Sequence, residues 1–169
     1  NMNSLFMRFP GFKTKTLALS YDDGLLCDER LAAILKKNGL KCTFNLNGGF
    51  YGGDEADELL SLYKRMPIVK CISVYGDYFE IACHGEYHRY MEQLPYSSAV
   101  SEIINDRSIL ETLFKRHVRG MAYPYGTYNE NIKSALRLCG IAYARTTKKS
   151  ETFDMPDDWL ELSPTCKHT

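Results

Sequence analysis

A chain of 169 residues with 44% hydrophobic composition can bury one core, and it reads as a single domain over residues 1–169. Its 21 basic and 21 acidic side chains cancel, so it lacks the charge excess of a nucleic-acid or anionic-membrane binder, and neither is expected as a partner. No apolar run reaches membrane-spanning length and no signal peptide is read; the six cysteines show no C-x-x-C pair or framework spacing, so reduced thiols in a cytoplasmic setting are expected.

The first apolar run, Thr16-Leu17-Ala18-Leu19, reads as a buried strand. It leads into Ser20-Tyr21-Asp22-Asp23-Gly24. Asp and Gly are poor strand residues, so the paired carboxylates are either a solvated turn or a site. Adjacent side chains at a strand end diverge, so one carboxylate can face a metal while its neighbour faces substrate or water. Asp28 is the expected N-cap of a helix carrying Leu31, Ile34 and Leu35 and stopped by Asn38-Gly39. A second strand covers residues 42–46. The glycine-rich loop after it, residues 47–53, lacks the Lys-Ser/Thr of a phosphate loop. Asp54 is expected to cap a helix reaching Met66, whereas residues 67–78 fit neither the helical nor the strand period.

A third strand, Phe79-Glu80-Ile81-Ala82-Cys83, runs into His84-Gly85-Glu86-Tyr87-His88. Two of the chain's four histidines thus stand four apart, on one face of a helical turn or converging from a tight loop. Neutral imidazole is the commonest ligand of zinc-type metals, and two His with one carboxylate leave positions open for water and substrate. A long amphipathic helix is expected over residues 95–115, with Val100, Ile103, Ile104, Ile109, Leu110 and Leu113 as its apolar stripe. His117, at its basic end, reads as solvated. A fourth strand ends in Met121-Ala122-Tyr123-Pro124-Tyr125-Gly126; a helix over residues 129–139 and a strand over 141–144 follow. Strands alternating with helices predict a parallel α/β sheet with its site at the carboxyl ends of the strands. Asp22, Asp23, Asn45, Asn47, His84, His88 and Tyr125 all fall there.

The Asp-Asp pair, the later His-x-x-x-His and the Tyr-Pro-Tyr-Gly turn, in that order, resemble the polysaccharide deacetylases of carbohydrate esterase family 4, the nodulation-protein-B homology domain. Lys41-Cys42-Thr43-Phe44-Asn45-Leu46-Asn47 is similar to that family's second strand. The resemblance implies a distorted (β/α) barrel that hydrolyses acetyl groups from N- or O-acetylated carbohydrate. It also implies a divalent metal, zinc in the first place, with cobalt, nickel or manganese as alternatives. By motif match, Asp22 resembles the general base, and Asp23, His84 and His88 the metal ligands. Tyr125 stands where the family uses a backbone N–H as oxyanion donor. Asn45, Asn47, Tyr123 and Pro124 are the implied substrate contacts, with Phe50 and Tyr51 as candidates for stacking on a sugar.

Two departures bear on the chemistry. The arginine that orients the family's base is replaced by Ala122, leaving Arg119 or Arg145 as substitutes. Gly85 also stands where the family has Ser or Thr. The family's acid histidine lies in an apolar-x-apolar-His setting, and the match here, Leu160-Glu161-Leu162-Ser163, carries a serine. His168 is the remaining candidate acid. With about five strands read, the barrel is expected to be incomplete at the C-terminus, to self-associate through an open edge and to hydrolyse weakly. Two rival readings remain: a non-catalytic metal- or sugar-binding member of the same fold, and an amidohydrolase acting on a non-sugar amide.

Overall fold

The structure is a computed structural model describing residues 9–51 and 64–167. Five strands form one parallel sheet in sequence order: β1 Ser20–Asp22, β2 Thr43–Leu46, β3 Glu80–Cys83, β4 Gly120–Ala122 and β5 Tyr143–Arg145. Among the described residues the connections carry four helices, α1 Asp28–Lys37, α2 Ile68–Tyr75, α3 Tyr96–Phe114 and α4 Glu130–Leu138. Sequential neighbours with helical crossovers are what a singly wound barrel requires.

The sheet is strongly curled. The edges of a flat five-stranded sheet would lie about 19 Å apart, four inter-strand spacings. Here Arg145 on β5 donates from Nε to Ser20 Oγ on β1 at 3.0 Å. The result is a half-barrel closed at its top by side chains, the incomplete distorted (β/α) barrel. Beyond β5 the chain returns so that Leu162 pairs in parallel with Arg145. Leu162 N–H donates to Ala144 O and Thr146 N–H donates to Leu162 O, both at 2.9 Å.

Strand alternation divides the side chains between two environments. Phe44 and Leu46 point to the helical layer, where the Phe44 ring stacks on Tyr75 of α2 at 4.1 Å. Ile103 and Leu110 of α3 and Ile132 and Leu136 of α4 complete that core. The inner face is polar and layered. Thr43 donates to Glu80 at 2.5 Å. Tyr143 lies across the backbone of Gly120, where even a Cβ would stand 2.2 Å from the ring. In the next layer up, Asp22 is in register with Asn45, and Ala122 with Arg145.

Several local expectations are corrected. Leu17 is 70% exposed, so the run at residues 16–19 is not a buried strand; pairing starts where Leu19 O accepts from Thr43 N–H. Asp28 is the first helical residue and not the cap; its carboxylate is buried and accepts from Tyr75 Oη at 2.7 Å. The ambiguous residues 67–78 contain α2. Of the helix expected from Asp54 to Met66, residues 54–63 lie outside the described residues. At its end, Arg65 bridges Leu25, and Met66 N–H donates to Gly24 O at 2.8 Å. Among the described residues no helix is long and apolar enough to cross a membrane.

Candidate active site

Asp22 ends β1 and points into the half-barrel. Arg145 Nη2 donates to both of its carboxylate oxygens, at 2.5 Å to Oδ2, and Asn45 Nδ2 donates to Oδ1 at 2.8 Å. Burial acts to raise the Asp22 pKa. The electrostatic influence of the His84 ring, then the Arg145 guanidinium, and the hydrogen bonds from Arg145 and Asn45 outweigh it, so the carboxyl lies below its ordinary range. The arginine missing at position 122 is therefore supplied one strand further on and in the same layer. Arg119 instead reaches Gly140 O at 3.4 Å, on the outside.

Asp23 follows in the left-handed region with φ 74°, its N–H bonded to Asn45 O at 3.0 Å. That turn swings its carboxylate away from Asp22 and toward two imidazoles. His84 closes β3; its ring Nδ1–H donates to Ala122 O at 2.8 Å, which leaves the Nε2 lone pair facing the site. His88 Nε2 lies 3.1 Å from His84 Nε2 and 4.0 Å from Asp23 Oδ1. Burial, then His84, hold the His88 pKa below its ordinary value, which favours the neutral ring that a metal needs. One donor atom from each of Asp23, His84 and His88 lies within 4.8 Å of the others. Two imidazole nitrogens and one carboxylate oxygen converging at that range fit a divalent cation of the zinc type.

The loop carrying the histidines is held from beneath. Asn47 Nδ2 donates to His84 O at 2.6 Å and to Gly85 O at 2.8 Å. Asp106 of α3 accepts from His84 N–H at 2.9 Å and from Gly48 N–H at 2.6 Å. Glu102, one turn earlier, accepts from Tyr87 N–H at 3.0 Å. Both carboxylates are buried, and burial pushes Asp106 up to about 8 despite its two N–H donors. The apolar stripe of α3 gives no hint of these two carboxylates. The missed signal is two acids four apart, interleaved with Ile103 and Leu110.

Other expected site residues take different places. Asn45, Asn47 and Tyr123 are each 1% exposed, with polar ends bonded within the protein; Tyr123 Oη donates to Leu160 O at 2.9 Å. Pro124 is buried. These four are corrected from substrate contacts to supports of the site. Phe50 is buried under the Arg65 guanidinium and offers no face to a sugar, and the half-buried Tyr51 turns its Oη to Cys71 Sγ at 3.6 Å. Among the described residues, the exposed aromatics beside the site are Tyr87, Tyr90 and Tyr125. Tyr90 and Tyr125 stack at 3.7 Å, and Tyr125 meets the His88 ring edge-on at 4.5 Å. Tyr125 itself has φ 59° in the short turn Pro124–Gly126, and its N–H precedes that turn's first internal hydrogen bond. Gly126 is required next, because a Cβ there would stand 2.0 Å from Thr147. Ser163 faces Thr146 Oγ1 at 3.4 Å. His117 is 88% exposed on its helix end, and His168 lies outside the described residues.

A curled parallel half-barrel with an Asp-Asp pair and a His-x-x-x-His pair at its carboxyl ends defines the class: an incomplete barrel of the deacetylase type. The model of the polysaccharide deacetylase family matches residues 10–144, and the chain belongs to that family. The deacetylase PplD of Streptococcus pyogenes is 20% identical, with a TM-score of 0.77 over 93% of this chain and 66% of its own. IcaB of Ammonifex degensii is 19% identical, with a TM-score of 0.76 over 96% of this chain and 70% of its own. The BpsB deacetylase domain of Bordetella bronchiseptica is 11% identical, with a TM-score of 0.71 over 87% of this chain and 69% of its own. At these identities the likeness is one of fold, and the chain spans about two thirds of those chains. No curated protein sequence matches it.

Proposed function

We propose that the chain is a metal-dependent hydrolase removing acetyl groups from N- or O-acetylated carbohydrate. The observation that carries this is the convergence of Asp23, His84 and His88 within 4.8 Å beside a carboxylate, Asp22, that is held ionised. A divalent cation on those three donors, zinc by their chemistry, would supply Lewis acidity toward the acyl carbonyl and acidify a water. Asp22 accepts the proton of the attacking water, with Arg145 and Asn45 fixing the direction of its lone pairs. Tyr125 N–H donates to the oxyanion that develops on the former carbonyl. Tyr87, Tyr90 and Tyr125 offer apolar ring surface to the sugar.

One observation favours a second reading. By motif match Ser163 stands where the family carries its acid histidine, and its hydroxyl, 3.4 Å from Thr146 Oγ1, does not match imidazole as a proton donor at neutral pH. A member that binds metal and sugar without turnover is consistent with that. Acetate release from acetylated glucosamine oligomers by zinc-loaded protein separates the readings. Under the proposal the chain releases acetate, and Asp22→Asn keeps its zinc while losing roughly 10²–10⁴-fold in turnover. Oligomer binding without acetate release supports the second reading. Release from a non-sugar amide alone makes the chain an amidohydrolase.

A further inference from the structure

Each carboxylate of the Asp-Asp pair has its own arginine. Arg145 serves Asp22; Arg65 serves Asp23. Arg65 Nη2 donates to Asp23 Oδ1 at 2.5 Å, and its Nε donates to the main-chain carbonyl of the same residue at 3.1 Å. A single guanidinium thus grips both the side chain and the backbone of a residue in the left-handed region. The guanidinium is itself fixed. Its side chain is 6% exposed, it lies 4.5 Å over the Phe50 ring, and its backbone bridges Leu25 just past the Asp22-Asp23-Gly24 turn. Nη2 also reaches Asn47 Oδ1 at 3.4 Å. Asn47 is the side chain that holds the carbonyls of His84 and Gly85. Arg65 therefore touches both halves of the donor set, the carboxylate directly and the imidazole loop through Asn47.

A buried positive charge on a cation's carboxylate should oppose the cation, so simple electrostatics argues against placing it there. The fork geometry argues the other way. Ligand carboxylates need a hydrogen-bonded partner to hold one orientation, and loss of such a partner costs about 10–100-fold in metal affinity. We infer that Arg65 is a positioning residue for the cation site, acting through Asp23 and Asn47 to keep the carboxylate aimed at His84 and His88. This rests on the metal reading of the site but not on the reaction.

The test is zinc affinity by chelator competition on the full chain, with no substrate present. Arg65→Lys keeps the charge and loses the fork; Arg65→Met keeps an apolar contact for Phe50 and loses the charge. Both should weaken zinc binding about 10–100-fold. Melting of the metal-free variants reports folding separately. Wild-type affinity or tighter binding in Arg65→Met overturns the inference and leaves Arg65 a competing charge. A wild-type chain that takes up no zinc overturns both this and the metal reading. A chain that binds zinc, shows the predicted losses and releases no acetate upholds this inference and sinks only the hydrolase.

Discussion

Arg145 Nη2 donates to both carboxylate oxygens of Asp22, across 123 residues of sequence and from the last strand of the sheet to the first. One contact therefore closes the curl of the half-barrel and sets the electrostatics of the proposed base. The ion pair is only partly exposed, with side-chain accessibilities of 17% and 30%, so water screens it less than a surface pair.

Replacing Arg145 should act on turnover and on the pH profile together. Arg145→Lys and Arg145→Met should each lower kcat by roughly 10²-fold, the scale of a misplaced catalytic group. Arg145 is among the groups that depress the Asp22 pKa, so its loss lets that pKa rise. The acid limb of the kcat/KM profile should then move to higher pH. A lowered kcat with an unmoved acid limb would leave Arg145 a structural clasp alone.

The three donors should differ in what else they support. Asp23→Ala, His84→Ala and His88→Ala should each strip zinc from folded protein, read by elemental analysis. His84→Ala should also lower stability, by about 1 kcal/mol, because Ala122 O loses its buried donor. His88 lies on the rim, and its removal should leave the melting temperature of the metal-free protein close to wild type. Full zinc occupancy in two of the three would dissolve the assignment.

Asp106 offers a test of the scaffold beneath the histidines. Asp106→Asn replaces an oxygen that accepts from the backbone N–H of Gly48 or of His84, as it can with the carboxyl protonated or ionised, by an NH2 that cannot accept. The cost should be about 1–3 kcal/mol, the penalty of an unsatisfied buried group. Zinc affinity should fall with it, since the His84 backbone is displaced. A variant with wild-type melting and wild-type zinc affinity would mean that Asn47 and Glu102 hold the loop without Asp106.

What could be read in advance divides along a physical line. The Asp22-Asp23 and His84–His88 motifs were legible because their chemistry is local: residue types unsuited to a strand stand directly after one. The strand and helix alternation was legible from apolar runs and their Gly and Pro stops, although β1 sits later than the run at residues 16–19. Arg65, Arg145, Glu102 and Asp106 act through contacts set by the curl of the sheet and by the packing of α3. Spacing does not name the partners in such contacts, although Glu102 and Asp106 stand four apart on α3 and Arg145 is one of the two substitutes the sequence leaves for the missing arginine. Asn45 and Asn47 were read at the correct end of β2 with the wrong role. Strand alternation turns Asn45 inward onto Asp22, and Asn47 bends under the histidine loop, so neither amide is left for a sugar.

Asp28 should make stability fall with rising pH. Its carboxyl is 4% exposed on α1, facing Tyr75 of α2 and lying near Asp22 and Asp23 beyond β1. Burial is the largest influence and raises the pKa from 3.8 to about 6; the Tyr75 hydroxyl opposes this and the neighbouring Asp23 and Asp22 charges add to it. Between about pH 4 and 6 the folded chain keeps the proton while the unfolded chain has released it. By linkage, this group's penalty is absent below the unfolded value, grows across that window and is constant above it. Two pH units correspond to about 3 kcal/mol. Asp28→Asn cannot ionise, and its amide oxygen can still accept from Tyr75. The variant should match wild type near pH 4 and exceed it by up to that amount at pH 7, read from urea unfolding at fixed ionic strength. A stability difference that stays flat from pH 4 to 7 would show that Asp28 titrates alike in the folded and unfolded chains.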